Sequence, residues 1–187
     1  MVTVLVACGT SEGQTEKVAE RIGDRLIEQG HRATVRDLAE SEPDPAAYDA
    51  VLIGSSIHMG DHHSAVESFV TANQSTLATR PTGLFQVSLS SASDDADERS
   101  GAAEYVEEFT ETTGFDPDRV GLFGGALRYS KYGFVKRFLM KRIAGKTSGD
   151  TDTSRDYEYT DWSAVEQFPD DFAAFVVDRL GQTGSEE

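Results

Sequence analysis

Val2-Thr3-Val4-Leu5-Val6-Ala7-Cys8-Gly9-Thr10-Ser11-Glu12-Gly13-Gln14-Thr15 opens the chain, immediately after the initiator, and the architecture can be worked out from it. β-Branched and apolar residues run as far as Gly9. A hydroxyl-rich loop follows, and then Val18, Ala19, Ile22 and Leu26 recur at helical spacing. The pattern predicts a buried strand, a loop and a helix start. The first turn of a helix leaves backbone N–H groups without intrahelical partners and carries a partial positive charge, which makes the loop an anion site. Thr10, Ser11 and Thr15 add hydroxyl donors, and the loop holds no Lys or Arg. A phosphate would meet neutral donors only, which suits a monoester at the end of a cofactor. Two other phosphate loops are excluded. Gly13 is followed by Gln14 where the Walker loop needs Lys, and Gly9 and Gly13 do not form G-x-G-x-x-G. An ordinary strand-to-helix turn with a Ser/Thr cap is the alternative.

Downstream, the same alternation repeats. The spacing predicts a helix over 13–29, stopped by Gly30, then strands over 31–35 and 49–54. Pro43 and Pro45 mark a loop over 37–48. A turn-rich loop over 55–60, a helix over 64–77 and a strand over 82–89 follow. Residues 88–100 read as an exposed acidic loop, 102–113 as a helix and 119–125 as a fifth strand. Residues 157–159 are expected to extend the sheet edge. A closing helix covers 161–180, with Pro169 expected to kink or split it. The tail over 181–187 is expected to be loose. Alternating strands and helices imply one α/β domain over 1–187, a doubly wound parallel sheet. Ligands of such sheets bind beyond the carboxyl ends of the strands. That makes 10–15, 55–60 and 88–91 one neighbourhood. Their small hydroxyl residues and glycines let a backbone approach a flat ring system closely.

Composition narrows the options further. The 187 residues suit a single domain, and 38% of them are hydrophobic, enough for one core. Net charge is −16, from 33 acidic and 17 basic residues, and only five of the basic ones are Lys. An acidic, Lys-poor surface stays hydrated in concentrated salt, so a halophilic source is expected. Nucleic acid is excluded as a partner, because neutralising phosphates needs a basic face. The single cysteine, Cys8, has no internal disulfide partner and no zinc spacing, and it reads as a small buried residue. His58, His62 and His63 lack further ligands at a usual spacing, so no metal is expected. Asp94, Asp95, Asp97 and Glu98 lack EF-hand spacing and read as solvated charge. With no leader pattern and no apolar run of about 18 residues, the expected compartment is the cytoplasm.

Several of these segments resemble known ones. Thr10, Gly13 and Thr15 match the FMN phosphate loop of flavodoxins, T/S-x-T/S-G-x-T, with Glu12 in place of a hydroxyl. Gly54-Ser55-Ser56-Ile57, Gly60 and His63-Ser64 resemble the third-strand loop of the flavodoxin-like, menaquinone-dependent protoporphyrinogen IX dehydrogenases. So do Gly125-Ala126-Leu127-Arg128-Tyr129, Gly149-Asp150-Thr151-Asp152-Thr153 and Tyr159-Thr160-Asp161-Trp162 in their own places. The resemblance implies a flavodoxin-like five-stranded sheet of order 2-1-3-4-5, with a basic helical insertion over 126–149. It implies an FMN enzyme of haem biosynthesis that takes electrons from protoporphyrinogen IX and passes them to a quinone. By motif position the loop of Thr10, Ser11, Glu12, Gly13, Gln14 and Thr15 would hold the phosphate, with Glu12 turned away from it. Ser56, Ile57, His58, Met59 and Gly60 would lie against the isoalloxazine, and Ser88, Leu89 and Ser90 would bound its other side. Leu127, Arg128, Asp152 and Thr153 are assigned to the flavin or substrate mouth. His58 and Met59 stand where the family often carries a basic and an aromatic residue. No catalytic residue is assigned. Two other readings stay open: an FMN electron carrier acting on protein partners, and an interaction module that has lost FMN, which Glu12 would permit.

Between 128 and 146 lie Arg128, Lys131, Lys136, Arg137, Lys141, Arg142 and Lys146, with no acidic residue among them. Phe134, Val135, Phe138, Leu139 and Ile143 fall on one helical stripe. A basic amphipathic helix on an acidic protein has three uses: lying peripherally on the inner face of the cell membrane, meeting propionates and a quinone, or packing on its own sheet.

Overall fold

Apolar runs that must be covered on both faces become central strands, and stretches with one apolar stripe become the helices that cover them. A computed structural model of the chain describes residues 1–92, 96–128, 140–141, 144–145 and 152–183. In chain order the elements are β1 (Thr3–Gly9), α1 (Gln14–Glu28), β2 (Arg32–Asp37), β3 (Ala50–His58), β4 (Asp61–His62), α2 (Ser64–Ala72) and α3 (Gln74–Leu77). Then come β5 (Thr82–Ser88), α4 (Ala96–Thr113), β6 (Arg119–Gly124), β7 (Ala126–Leu127), β8 (Tyr157–Glu158) and α5 (Trp162–Thr183). The main strands run β2-β1-β3-β5-β6, all parallel. This is the expected 2-1-3-4-5 order. The order reverses direction at β1, so the exits of β1 and β3 border one crevice.

The strand alternation divides the core. Val4 and Val6 of β1 face Val18, Ile22 and Leu26 of α1 and Phe172 and Val176 of α5. Leu5 and Ala7 face the other way, toward Val66, Phe69 and Val70 of α2 and Phe109 of α4. Arg21 pairs with Glu166, and Arg25 pairs with Asp170, which lashes α1 to α5.

Several local expectations are corrected. Residues 55–58 continue β3 instead of forming a loop, and β4 folds back antiparallel on them, pairing Ile57 with His62. The hairpin turns at Met59 and Gly60, both at positive φ, 56° and 97°. The expected helix over 64–77 breaks at Asn73, whose side chain donates to the Phe69 carbonyl. The acidic loop is shorter than expected, because α4 already begins at Ala96. Residues 157–159 do not extend the main sheet. The Gly125 amide donates to the Ser88 carbonyl, the chain turns away, and β7 pairs with β8 in a separate ribbon. Pro169 does not split α5, since buried Val165, Phe172 and Val176 hold the helix to the sheet on either side of it. The helix extends to Thr183, beyond the expected end. Most of the basic insertion lies outside the described residues.

Candidate functional site

The exits of β1, β3 and β5 surround one cleft. Thr10, Ser11, Glu12, Gln14, Thr15, Ser56, Ile57, His58, Ser88 and Leu89 line it, together with Val87, Gly125, Ala126 and Met140. Its empty space is about 470 Å³, counting space open to solvent.

At one end lies the loop between β1 and α1. Gly13 caps α1 at φ 89°, a left-handed conformation that a side chain would strain, and makes no side-chain cap hydrogen bond. Its own amide donates to Thr10 Oγ1 at 2.9 Å, which leaves the Thr10 hydroxyl proton free to donate elsewhere. Ser11 Oγ lies 3.2 Å from Ser56 Oγ and joins this loop to the end of β3. Here, then, are uncapped first-turn amides with hydroxyls converging on them. That donor set fits a phosphate monoester.

The other end is flatter and more apolar. Ile57 and His58 come from β3, Val87 and Leu89 from β5 and beyond, and Met140 from the segment after β7. Ser88 Oγ and Ser91 Oγ, 2.7 Å apart, fold the loop after β5 back on itself. Met140 and Ala144 pack over Leu127, with Leu89, Tyr157 and Tyr159 against them. Met140 of the basic segment therefore lines the cleft, which no motif in the segment revealed.

Other expected residues sit elsewhere. Leu127 is fully buried beneath Met140, so it supports the mouth without lining it. Asp152 and Thr153 are not among the lining residues. Asp152 turns back to accept from the amide and hydroxyl of Ser154, and these bonds, hydroxyl first, hold its carboxyl below the usual range. Met59 and Gly60 form the hairpin tip, where Met59 is 79% exposed. Ser90 begins a short 3-10 turn beside the cleft. Glu12 lines the cleft alongside Thr10 and Ser11.

A charged side chain stands behind these neutral donors. Arg128 Nη2 donates to Gln14 Oε1 at 2.6 Å. Gln14 Nε2 donates to Thr160 Oγ1 at 2.8 Å, and Thr160 in turn donates to the Gly124 carbonyl at 2.7 Å. A guanidinium thus stands one side chain behind the loop. Thr160 was part of a resembling motif but carried no signal of this role.

Cys8, next to last in β1, is fully buried. Burial, reinforced by the Asp37 charge, pushes its thiol up to about 12, so it stays protonated and unreactive. No group of His, Cys, Asp and Glu capable of holding a metal occurs among the described residues.

An open parallel α/β sheet with an uncapped helix start at its switch point defines a protein of the nucleotide- or flavin-binding doubly wound class. A family model, "Flavodoxin domain", matches residues 5–154, and the chain belongs to that family. It is 33% identical over 170 residues to "Protoporphyrinogen IX dehydrogenase [quinone]" of Escherichia coli (strain K12), covering 90% of this chain and 93% of the relative. Identity is also 33% to the protein of that name from Leishmania major, over 92% of this chain and 75% of the relative. Among solved structures, oxidised flavodoxin 1 of Bacillus cereus superposes with a TM-score of 0.53 at 17% identity, covering 92% of this chain and 97% of that one. That likeness concerns the fold.

Proposed function

We propose that the cleft holds FMN, with its terminal phosphate at the Thr10–Thr15 loop and its ring system between 56–58 and 87–89. The chain is then an FMN-dependent oxidoreductase of the protoporphyrinogen IX dehydrogenase type, passing electrons from a porphyrinogen to a quinone. When bound, FMN supplies a ring that accepts a hydride and releases electrons singly. The chain's own residues bind and shelter it. The first-turn amides and the hydroxyls of Thr10, Ser11 and Thr15 take the phosphate, Ile57, Val87, Leu89 and Met140 offer apolar surface to the ring, and His58 stands at the rim.

The observation that carries the enzyme reading is Met140. Met140 lines the cleft and packs with Ala144 over Leu127, so this residue is built into the site. An electron carrier that only meets protein partners has no need of such a residue. Lys141, next in the chain and exposed, brings positive charge to the same region, which suits propionates. Peripheral contact with an anionic membrane through the basic stripe belongs to this proposal, as does a halophilic setting for so acidic a surface.

The test is anaerobic turnover of the FMN-loaded protein with protoporphyrinogen IX and a soluble quinone, in high salt. Porphyrin formation matched by quinol formation is expected. FMN uptake without turnover would leave an electron carrier, and failure to take up FMN would leave an interaction module.

A further inference from the structure

We propose that Arg128 lends positive charge to the phosphate corner: acting through Gln14, it makes the site select the phosphomonoester of the flavin over the unphosphorylated flavin. This rests on reading the cleft as an FMN site.

The loop has a charge problem. Its only ionisable member is Glu12, which lines the same cleft. A phosphate dianion entering there meets neutral donors and a carboxylate. Nothing local in the sequence offsets that, because the nearest basic residue along the chain, Lys17, is exposed and lies 3.8 Å from Glu158.

Folding brings a cation up behind the loop. Arg128 leaves β7 and reaches back to α1, and its side chain is only 17% exposed. Its Nη2 binds Gln14 Oε1 and lies 3.4 Å from Glu158 Oε2. Gln14 is itself buried, at 5% exposure, and both ends of its amide are used. The Thr160 hydroxyl donates to the Gly124 carbonyl, so it must accept from Gln14 Nε2, and that bond fixes which way the Gln14 amide points. Arg128 does not line the cleft, so it is a positioning residue. It orients Gln14 at the first helical position and adds positive potential from behind, where partial burial limits screening. Glu158 competes for that charge. It also accepts from Trp162 Nε1 at 2.9 Å, a bond that a glutamine at 158 can keep.

The experiment titrates the apoprotein with FMN and with riboflavin, following flavin fluorescence, for the wild type, Arg128→Gln, Arg128→Lys and Glu158→Gln. Arg128→Gln is expected to weaken FMN about tenfold while leaving riboflavin within about twofold. Arg128→Lys should restore part of the difference. Glu158→Gln, which keeps the Trp162 contact, should tighten FMN by about threefold and leave riboflavin alone. FMN binding by the wild type should also weaken with salt more steeply than that of Arg128→Gln. Equal loss of both flavins in Arg128→Gln, with Glu158→Gln unchanged, would reduce Arg128 to a structural tie and overturn the proposal. Wild-type protein that binds neither flavin while correctly folded would overturn the FMN reading and this inference together. Wild-type FMN binding with unchanged selectivity in every variant would sink the inference alone.

Discussion

At the scale of single residues, the tightest constraint is Gly54. A Cβ there would overlap the ring of Phe85, which is fully buried and has no room to withdraw. Gly54→Ala is expected to destabilise the fold by roughly 1–3 kcal/mol, read as a lower urea midpoint with an unchanged slope. His62 is the residue to watch with pH. It is buried against Phe109, ring centroids 4.3 Å apart, and its Nε2 lies 3.2 Å from the Tyr105 carbonyl. Burial holds its pKa below the ordinary 6.5. The unfolded chain therefore binds the extra proton first. The stability linked to His62 is complete above 6.5 and is lost as pH falls from there through the lower folded value. Urea midpoints measured down from neutral pH should drop in this window. His62→Gln should flatten that slope, and an unchanged slope would mean the ring is not held neutral.

At the scale of elements, the closing helix has an identifiable start. Asp161 Oδ1 accepts from the amides of Ser163 and Ala164 at 3.0 and 3.3 Å. Asp161→Ala should cost about 1 kcal/mol of stability, and Asp161→Asn much less, as thermal midpoints would show. The elements themselves were readable from local pattern. β1, α1, β5 and β6 lie close to the expected spans, since burial on one or both faces writes a period of two or a stripe into the chain. What misled was punctuation. Ser55 and Ser56 look like a loop, yet the Ser55 hydroxyl accepts from the His63 amide and β4 pairs with the strand end. Cross-strand pairing holds small polar residues in a strand that their own propensity disfavours.

At the scale of the whole molecule, a net charge of −16 on 187 residues repels itself. Salt at about 1 M shortens the Debye length to about 3 Å, so the thermal midpoint should rise from dilute buffer to molar salt. A flat or falling midpoint would mean that ion pairs such as Arg25–Asp170 and Arg179–Asp118 outweigh the repulsion. The cleft belongs to this scale too. The loops after β1, β3 and β5 could be assigned to one neighbourhood because topology alone places parallel strand exits together. Met140 could not, because it reaches the cleft only through the packing of its segment over Leu127.

By itself the sequence determined the strand and helix alternation, the strand order through family resemblance, and the hydroxyl-rich loop at the exit of β1. Each of these is encoded locally, in residue type and spacing. Only the tertiary structure decided that Arg128 stands behind Gln14, 114 positions away, and that Thr160 fixes that glutamine's amide. Hydrogen bonds between distant segments depend on where folding brings the backbone, and no local periodicity carries that information.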